Sequence, residues 1–211
     1  MKQLFYLHLG MKYSYLALGD SYTIGEQVPS EQNFPYQTIA LLQQQGIAVD
    51  APQIIAQTGW TTDELNTAID AAQVSKQYDI VSLLIGVNNQ YRGRSVSNFK
   101  IEFEHLLQRA IQFAGNKSNH VFVLGIPDWG VTPFAEGRDR KQIAAEIDGY
   151  NKTCEDEAKQ SGTYFINITT AQRADGNKND FLTYDKLHPS GKEYVKWAIQ
   201  LSAAIKNEMG I

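Results

Sequence analysis

The chain alternates short apolar runs with longer amphipathic segments, and this alternation limits the folds open to it more than any other feature. Five runs read as strands, at residues 13–18, 53–56, 80–85, 120–126 and 164–168, and most end at once on Gly, Pro, Asp or Asn. Five segments with apolar residues at three- and four-residue spacing read as helices, at 35–45, 62–72, 97–114, 140–160 and 190–206. In the third of these the stripe is Phe99, Phe103, Leu106, Leu107, Ala110 and Phe113, which reads as a core-facing edge. Thr61 to Glu64 and Ser190 to Glu193 each supply a hydroxyl with a glutamate nearby, which suits a helix start. Apolar strands joined through helices run parallel with both faces covered. The expected architecture is therefore a three-layer α/β/α sandwich around a five-stranded parallel sheet in flavodoxin-like order.

No repeat, low-complexity tract or linker interrupts the 211 residues, so one domain over 1–211 is expected. Met11-Lys12 directly precedes the first convincing strand, which makes residues 1–10 a peripheral extension. The apolar run at 4–9 is too short for a signal-peptide core, and no stretch approaches the roughly 18 to 20 apolar residues of a membrane span. A cytoplasmic protein without integral membrane association is expected. Nineteen basic against 23 acidic residues give a formal charge of -4, which argues against a nucleic-acid partner. The single Cys154, followed by Glu155, Asp156 and Glu157, reads as a structural thiol. His8, His105 and His120 have no metal-ligand spacing, and neither a metal nor another cofactor is expected.

In an open α/β sheet the ligand crevice lies beyond the carboxyl ends of the strands. Four of the expected strand ends carry polar clusters: Gly19-Asp20-Ser21-Tyr22, Thr58-Gly59-Trp60, Gly86-Val87-Asn88-Asn89 and Pro127-Asp128-Trp129-Gly130. Ser21 falls where the first strand gives way to a loop or helix, where a backbone N–H can face a developing oxyanion. Near the other end, Asp185-Lys186-Leu187-His188-Pro189 sets a carboxylate one turn before an imidazole. Asp185 can accept the Nδ1–H of His188 and leave Nε2 free to take a serine proton. Each feature alone also fits a bland role: Gly-Asp-Ser is a common turn and helix cap, and Asp-x-x-His a common capped turn. Asp20 is either a turn stabiliser or a second acid, and Trp129 lines the pocket or sits exposed in its turn. The α/β-hydrolase elbow needs Gly-x-Ser-x-Gly, but Thr23 holds its last position, and neither a dinucleotide fingerprint nor a P-loop occurs.

Taken together in this order, the clusters resemble the SGNH hydrolases, also called the GDSL esterase and lipase family, from Tyr15 to Tyr194. Ala17-Leu18-Gly19-Asp20-Ser21-Tyr22-Thr23 resembles the first block, with Tyr22 in place of the eponymous Leu. Ala56 to Thr62 resembles the second and Ile85 to Asn89 the third, where Asn89 replaces the usual Asp; Asp185-x-x-His188-Pro189 resembles the last. The resemblance implies Ser21 as nucleophile, His188 as general base, Asp185 as its support, and an oxyanion hole from the N–H groups of Ser21 and Gly59 with the Asn88 amide. It makes Asn89 a supporting residue; with Asp20, Trp60 and Trp129 it is expected to line the pocket.

The implied activity is hydrolysis of a carboxylic ester through an acyl-enzyme, with transfer to another alcohol left open. The polar segment after Ser21 (Thr23, Glu26, Gln27, Ser30, Glu31, Gln32, Asn33) points to short acyl esters of soluble alcohols or sugars. Trp60, Tyr91, Trp129 and Phe134 could instead form an apolar trough, which keeps a lysophospholipase, longer-chain lipid esterase or thioesterase as the alternative. A non-catalytic binding module on the same scaffold is the reading from another class.

Overall fold

A computed structural model describes residues 12–211. The expected extension at 1–10, with its apolar run and His8, lies outside the described residues. Strands β1 (Tyr15–Gly19), β2 (Gln53–Ala56), β3 (Ile80–Leu84), β4 (Val121–Leu124) and β5 (Tyr164–Ile166) pair in parallel in the order β2-β1-β3-β4-β5. This is the expected flavodoxin-like order, with Leu18 opposite Ile55 on one side and Leu83 on the other. Every residue of β1, β3 and β4 is buried, while the edge strands β2 and β5 are partly exposed. That difference explains why the central strands read as continuous apolar runs.

The helices are α1 (Ser21–Ile24), α2 (Phe34–Gln44), α3 (Thr62–Ala71), α4 (Val87–Tyr91), α5 (Val96–Phe113), α6 (Arg140–Ser161), α7 (Thr169–Asp175) and α8 (Gly191–Met209). The connections from β1 to β2 and from β2 to β3 run in opposite directions across the sheet. Right-handed crossovers therefore put α2 on one face and α3, α5 and α6 on the other. In accord with this, α2 packs on α8, α3 on α5, and α5 on α6. The stripe of α5 is buried as expected from Phe99 to Ala110, with Phe113 packed at its margin.

The long helices lie where periodicity put them, but α1, α4 and α7 were not legible because four to seven residues carry no periodic signal. At the start of α3 the Glu64 carboxylate accepts the Thr61 backbone N–H at 2.8 Å, the expected capping arrangement. α8 also starts where expected, with Ser190 as its N-cap residue, but without the capping bond. Ser190 makes no capping hydrogen bond and donates its hydroxyl to the Asp180 carbonyl at 2.7 Å, while the Trp197 indole N–H donates to Glu193 at 3.0 Å.

Cys154 is buried on α6, and burial pushes its thiol far above the ordinary range. His105 is exposed on α5, and the His120 ring meets the Asp79 carbonyl at 2.6 Å. Among the described residues, no group of three His, Cys, Asp or Glu is placed to hold a metal, and no helix is long and apolar enough to cross a membrane.

Candidate active site

β1 ends on Gly19, where an added Cβ would lie 2.1 Å from Thr23 Oγ1 and 2.4 Å from the Leu84 carbonyl, so only glycine lets the chain turn there. The turn is then capped by Asp20, whose Oδ1 accepts the Tyr22 N–H at 3.0 Å. Ser21 becomes the first residue of α1, nearly buried, and among the described residues no protein group accepts its backbone N–H. The second Asp20 oxygen, Oδ2, has no partner, and burial raises this carboxyl to about 7, only partly offset by the Tyr22 hydrogen bond.

The histidine comes from the loop ahead of α8, which is closed by an antiparallel bridge between Leu182 and Pro189 and by Thr183 N–H donating to the His188 carbonyl at 2.8 Å. Inside this loop Asp185 Oδ1 accepts the Thr183 hydroxyl at 2.8 Å and the N–H groups of Leu187 and His188, each at 2.9 Å. Its Oδ2 stands 2.6 Å from His188 Nδ1, and His188 Nε2 stands 3.0 Å from Ser21 Oγ. The three-residue spacing works through a compact loop and not a helical turn, since Lys186 adopts a left-handed φ of 62°. Burial raises the Asp185 carboxyl, but the hydrogen bonds from His188, Leu187 and Thr183 outweigh it and hold the group at about 2. The Tyr22 ring, 5.7 Å from the imidazole between centroids, packs beside it.

Gly86 opens α4 at φ 130°, where a Cβ would come within 2.7 Å of Ile126 and Phe99 side-chain atoms. This close packing brings Asn88 over the loop that follows β2, and its Nδ2 donates to the Trp60 carbonyl at 2.9 Å. One amide hydrogen is thus committed to orientation and the other is left for a ligand. Four residues on, Arg92 Nη2 donates to the Gly59 carbonyl at 2.7 Å and Nη1 reaches Glu64 at 3.2 Å. Gly59 has a φ of 86°, and among the described residues its N–H has no protein acceptor.

Asn89 turns the other way. It is fully buried, accepts the Thr62 N–H at 3.1 Å and donates to the Thr62 hydroxyl at 2.6 Å. Its contacts with Thr62 are thus amide hydrogen bonds on both sides. Asp128 is likewise engaged, by the Gly130 N–H and by Arg173 Nε, both at 2.8 Å.

Ser21, Gly59, Asn88 and His188 share one cavity of about 200 Å³, whose remaining walls are Thr58, Tyr22, Val87, Tyr91, Trp129, Phe134 and Leu187. Of the four residues expected at its walls, only Trp129 lines it. Asp20 caps α1 beneath it, Asn89 braces α3, and Trp60 contributes a backbone carbonyl. None of the polar segment after Ser21 lines the cavity, and Glu26 comes nearest, accepting the hydroxyl of the lining residue Thr58. Thr23 and Asn33 are buried, Asn33 capping α2, while Glu31 and Gln32 line a separate, larger hollow of about 690 Å³ between α2 and α8 that holds none of the four groups. Gln90, which accepts the Trp129 indole N–H at 2.7 Å, and Arg92 carry no signal in the sequence because their roles depend on α4, which is too short to show a period.

Residues 17–195 match the model of the GDSL-like Lipase/Acylhydrolase family. No curated protein matches the sequence significantly. Among solved structures, the psychrotrophic esterase EstA from Pseudoalteromonas sp., described as inhibited by monoethylphosphonate, superimposes with a TM-score of 0.73 at 13% identity over 95% of this chain and 100% of its own. The lipase/acylhydrolase from Enterococcus faecalis gives 0.71 at 20% identity, over 93% and 96% of the two chains. Axe2, an acetylxylan esterase from Geobacillus stearothermophilus, gives 0.67 at 17% identity, over 96% of each. At these identities the likeness is one of fold.

Proposed function

The chain belongs to the GDSL-like lipase/acylhydrolase family and is an esterase of that type, and from this premise we propose that Ser21, His188 and Asp185 perform ester hydrolysis through an acyl-enzyme. The observation that carries the reading is the unbroken line from Ser21 Oγ to His188 Nε2 at 3.0 Å and from His188 Nδ1 to Asp185 at 2.6 Å.

With Asp185 ionised, Nδ1 keeps its proton and Nε2 is the acceptor. Ser21 Oγ attacks the ester carbonyl carbon while its proton passes to His188 Nε2, and Asp185 stabilises the imidazolium. The carbonyl oxygen, now an oxyanion, is met by the N–H groups of Ser21 and Gly59 and by the free amide hydrogen of Asn88. Collapse of the tetrahedral intermediate expels the alcohol, which takes the proton from His188. A water molecule then gives its proton to His188 and attacks the acyl carbonyl, and collapse of this second intermediate releases the acid as Ser21 Oγ takes the proton back from His188.

The acyl group that fits is a short one. A cavity of about 200 Å³ lies below the roughly 300–1,000 Å³ of sites for drug-sized ligands. This size now supports the short-acyl reading in place of the polar segment after Ser21. The acetylxylan esterase activity described for Axe2, which shares the fold, agrees with an acetyl or similarly small group. A longer-chain reading has one observation in its favour, the apolar wall of Tyr91, Trp129 and Phe134.

The test is kcat/KM for p-nitrophenyl esters from acetate to palmitate, below micelle formation. The expected optimum is acetate or butyrate, with Ser21→Ala and His188→Ala losing nearly all turnover while keeping the wild-type Tm. An optimum at octanoate or longer would put the lipid reading first, and a folded Ser21→Ala protein of near wild-type rate would remove the proposal.

A further inference from the structure

A second cavity, of about 300 Å³, adjoins the first, and the two share Tyr91 and Trp129 as lining residues. The rings meet edge to face, 5.3 Å between centroids at 65°. The two halves of this wall are held very differently. Trp129 is 4% exposed and its indole N–H donates to Gln90 Oε1 at 2.7 Å; Gln90 Nε2 donates in turn to Glu146 at 2.6 Å. Tyr91 is the last residue of α4, 49% exposed, and among the described residues its hydroxyl makes no hydrogen bond.

We propose that the Tyr91 ring is the stop that sets acyl length, closing the catalytic cavity against the second cavity next to it; this rests on reading the first cavity as the acyl site of an esterase. An acyl chain seated on Ser21 and directed along the apolar wall runs into this pair of rings. Trp129 cannot yield without breaking its bond to Gln90, so the removable half is Tyr91. The buried walls of the space beyond, Trp129 and Ile143, are apolar and offer contact to an alkyl chain, while Arg138, Asp139 and Gln142 line it from exposed positions and Glu146 holds Gln90 and Gln142. Each methylene accommodated in such a site is a substantial factor in specificity, about 10- to 200-fold at most.

The experiment compares the ratio of kcat/KM for p-nitrophenyl octanoate to that for p-nitrophenyl acetate. Wild type favours acetate, and Tyr91→Ala raises the octanoate-to-acetate ratio by about tenfold or more, chiefly through KM. Tyr91→Phe, which keeps the ring, keeps the wild-type order of substrates. Adding Gln142→Trp to Tyr91→Ala fills the second cavity from its exposed rim and takes the gain away again. A Tyr91→Ala enzyme that hydrolyses acetate with an unchanged ratio overturns the stop while leaving the esterase reading intact. A gain that survives Gln142→Trp overturns it as well, because the chain then runs elsewhere. A wild type that cleaves none of these esters overturns both readings.

Discussion

Two adjacent asparagines on α4 have opposite duties. Asn88 points over the catalytic cavity with one amide hydrogen fixed by the Trp60 carbonyl, whereas Asn89 is fully buried and bonded to Thr62. Asn88→Ala is expected to lower kcat by about a hundredfold to a thousandfold with little change in KM, the pattern of a donor used in the transition state. Asn89→Ala is expected to cost stability instead, about 1–3 kcal/mol for the buried Thr62 groups left unpaired, seen as a lower Tm with a much smaller loss of kcat. If Asn89→Ala were the more damaging to kcat, the oxyanion assignment would be displaced by one residue. Asp20 makes a second residue-scale case. Its folded-state value of about 7 lies above the ordinary carboxylate range, because burial penalises the anion. The folded protein thus holds this proton more tightly than the unfolded chain, and the associated stability is present below about pH 4 and is lost as pH rises through about 7. Asp20→Asn removes that dependence, so the Tm difference, variant minus wild type, should be more positive at pH 8 than at pH 5. An equal difference at both would show that Asp20 does not titrate in this range.

At the scale of elements, α4 acts as a brace for the loop after β2. Asn88 on this short helix and Arg92, its C-cap residue four positions on, hold the successive carbonyls of Trp60 and Gly59. Both proposed oxyanion groups beyond Ser21 are thereby tied to each other. Arg92→Ala should lower kcat by about tenfold, equivalent to about 1.4 kcal/mol, with KM little changed and Arg92→Lys restoring part of the loss. A loss confined to Tm, with kcat intact, would make the contact merely structural. This brace was invisible in the sequence for a physical reason: α4 has five residues, and an amphipathic period needs at least two turns to be seen. The long helices α5, α6 and α8 were legible because each buries a repeated apolar face. In the loop before α8, spacing correctly brought Asp185 to His188. The backbone that does so was not foreseen, since it depends on Lys186 adopting a left-handed conformation and on the Thr183 hydroxyl.

Over the whole molecule, the strand order reverses beside β1, and the ends of β1, β2 and β3 deliver Ser21, Gly59 and Asn88 to one crevice, which the loop before α8 completes with His188. That convergence was legible because polar clusters followed the apolar runs in order. Pocket walls were harder to read. Tyr91 and Trp129 line the cavity from strand ends, as their place in the sequence suggests, but in the polar segment after Ser21 Asn33 caps α2, Glu31 and Gln32 face the hollow between α2 and α8, and Glu26 holds the hydroxyl of Thr58. Polarity alone does not distinguish a side chain that meets ligand from one that satisfies a buried backbone. The proposed hydrolysis depends on Ser21 as the nucleophile, and the most direct test is to treat the folded protein with a fluorophosphonate and map the adduct by mass spectrometry. A single adduct on Ser21, greatly slowed in His188→Ala, is the predicted result; an adduct on another residue, or none on a protein that still hydrolyses esters, would contradict it.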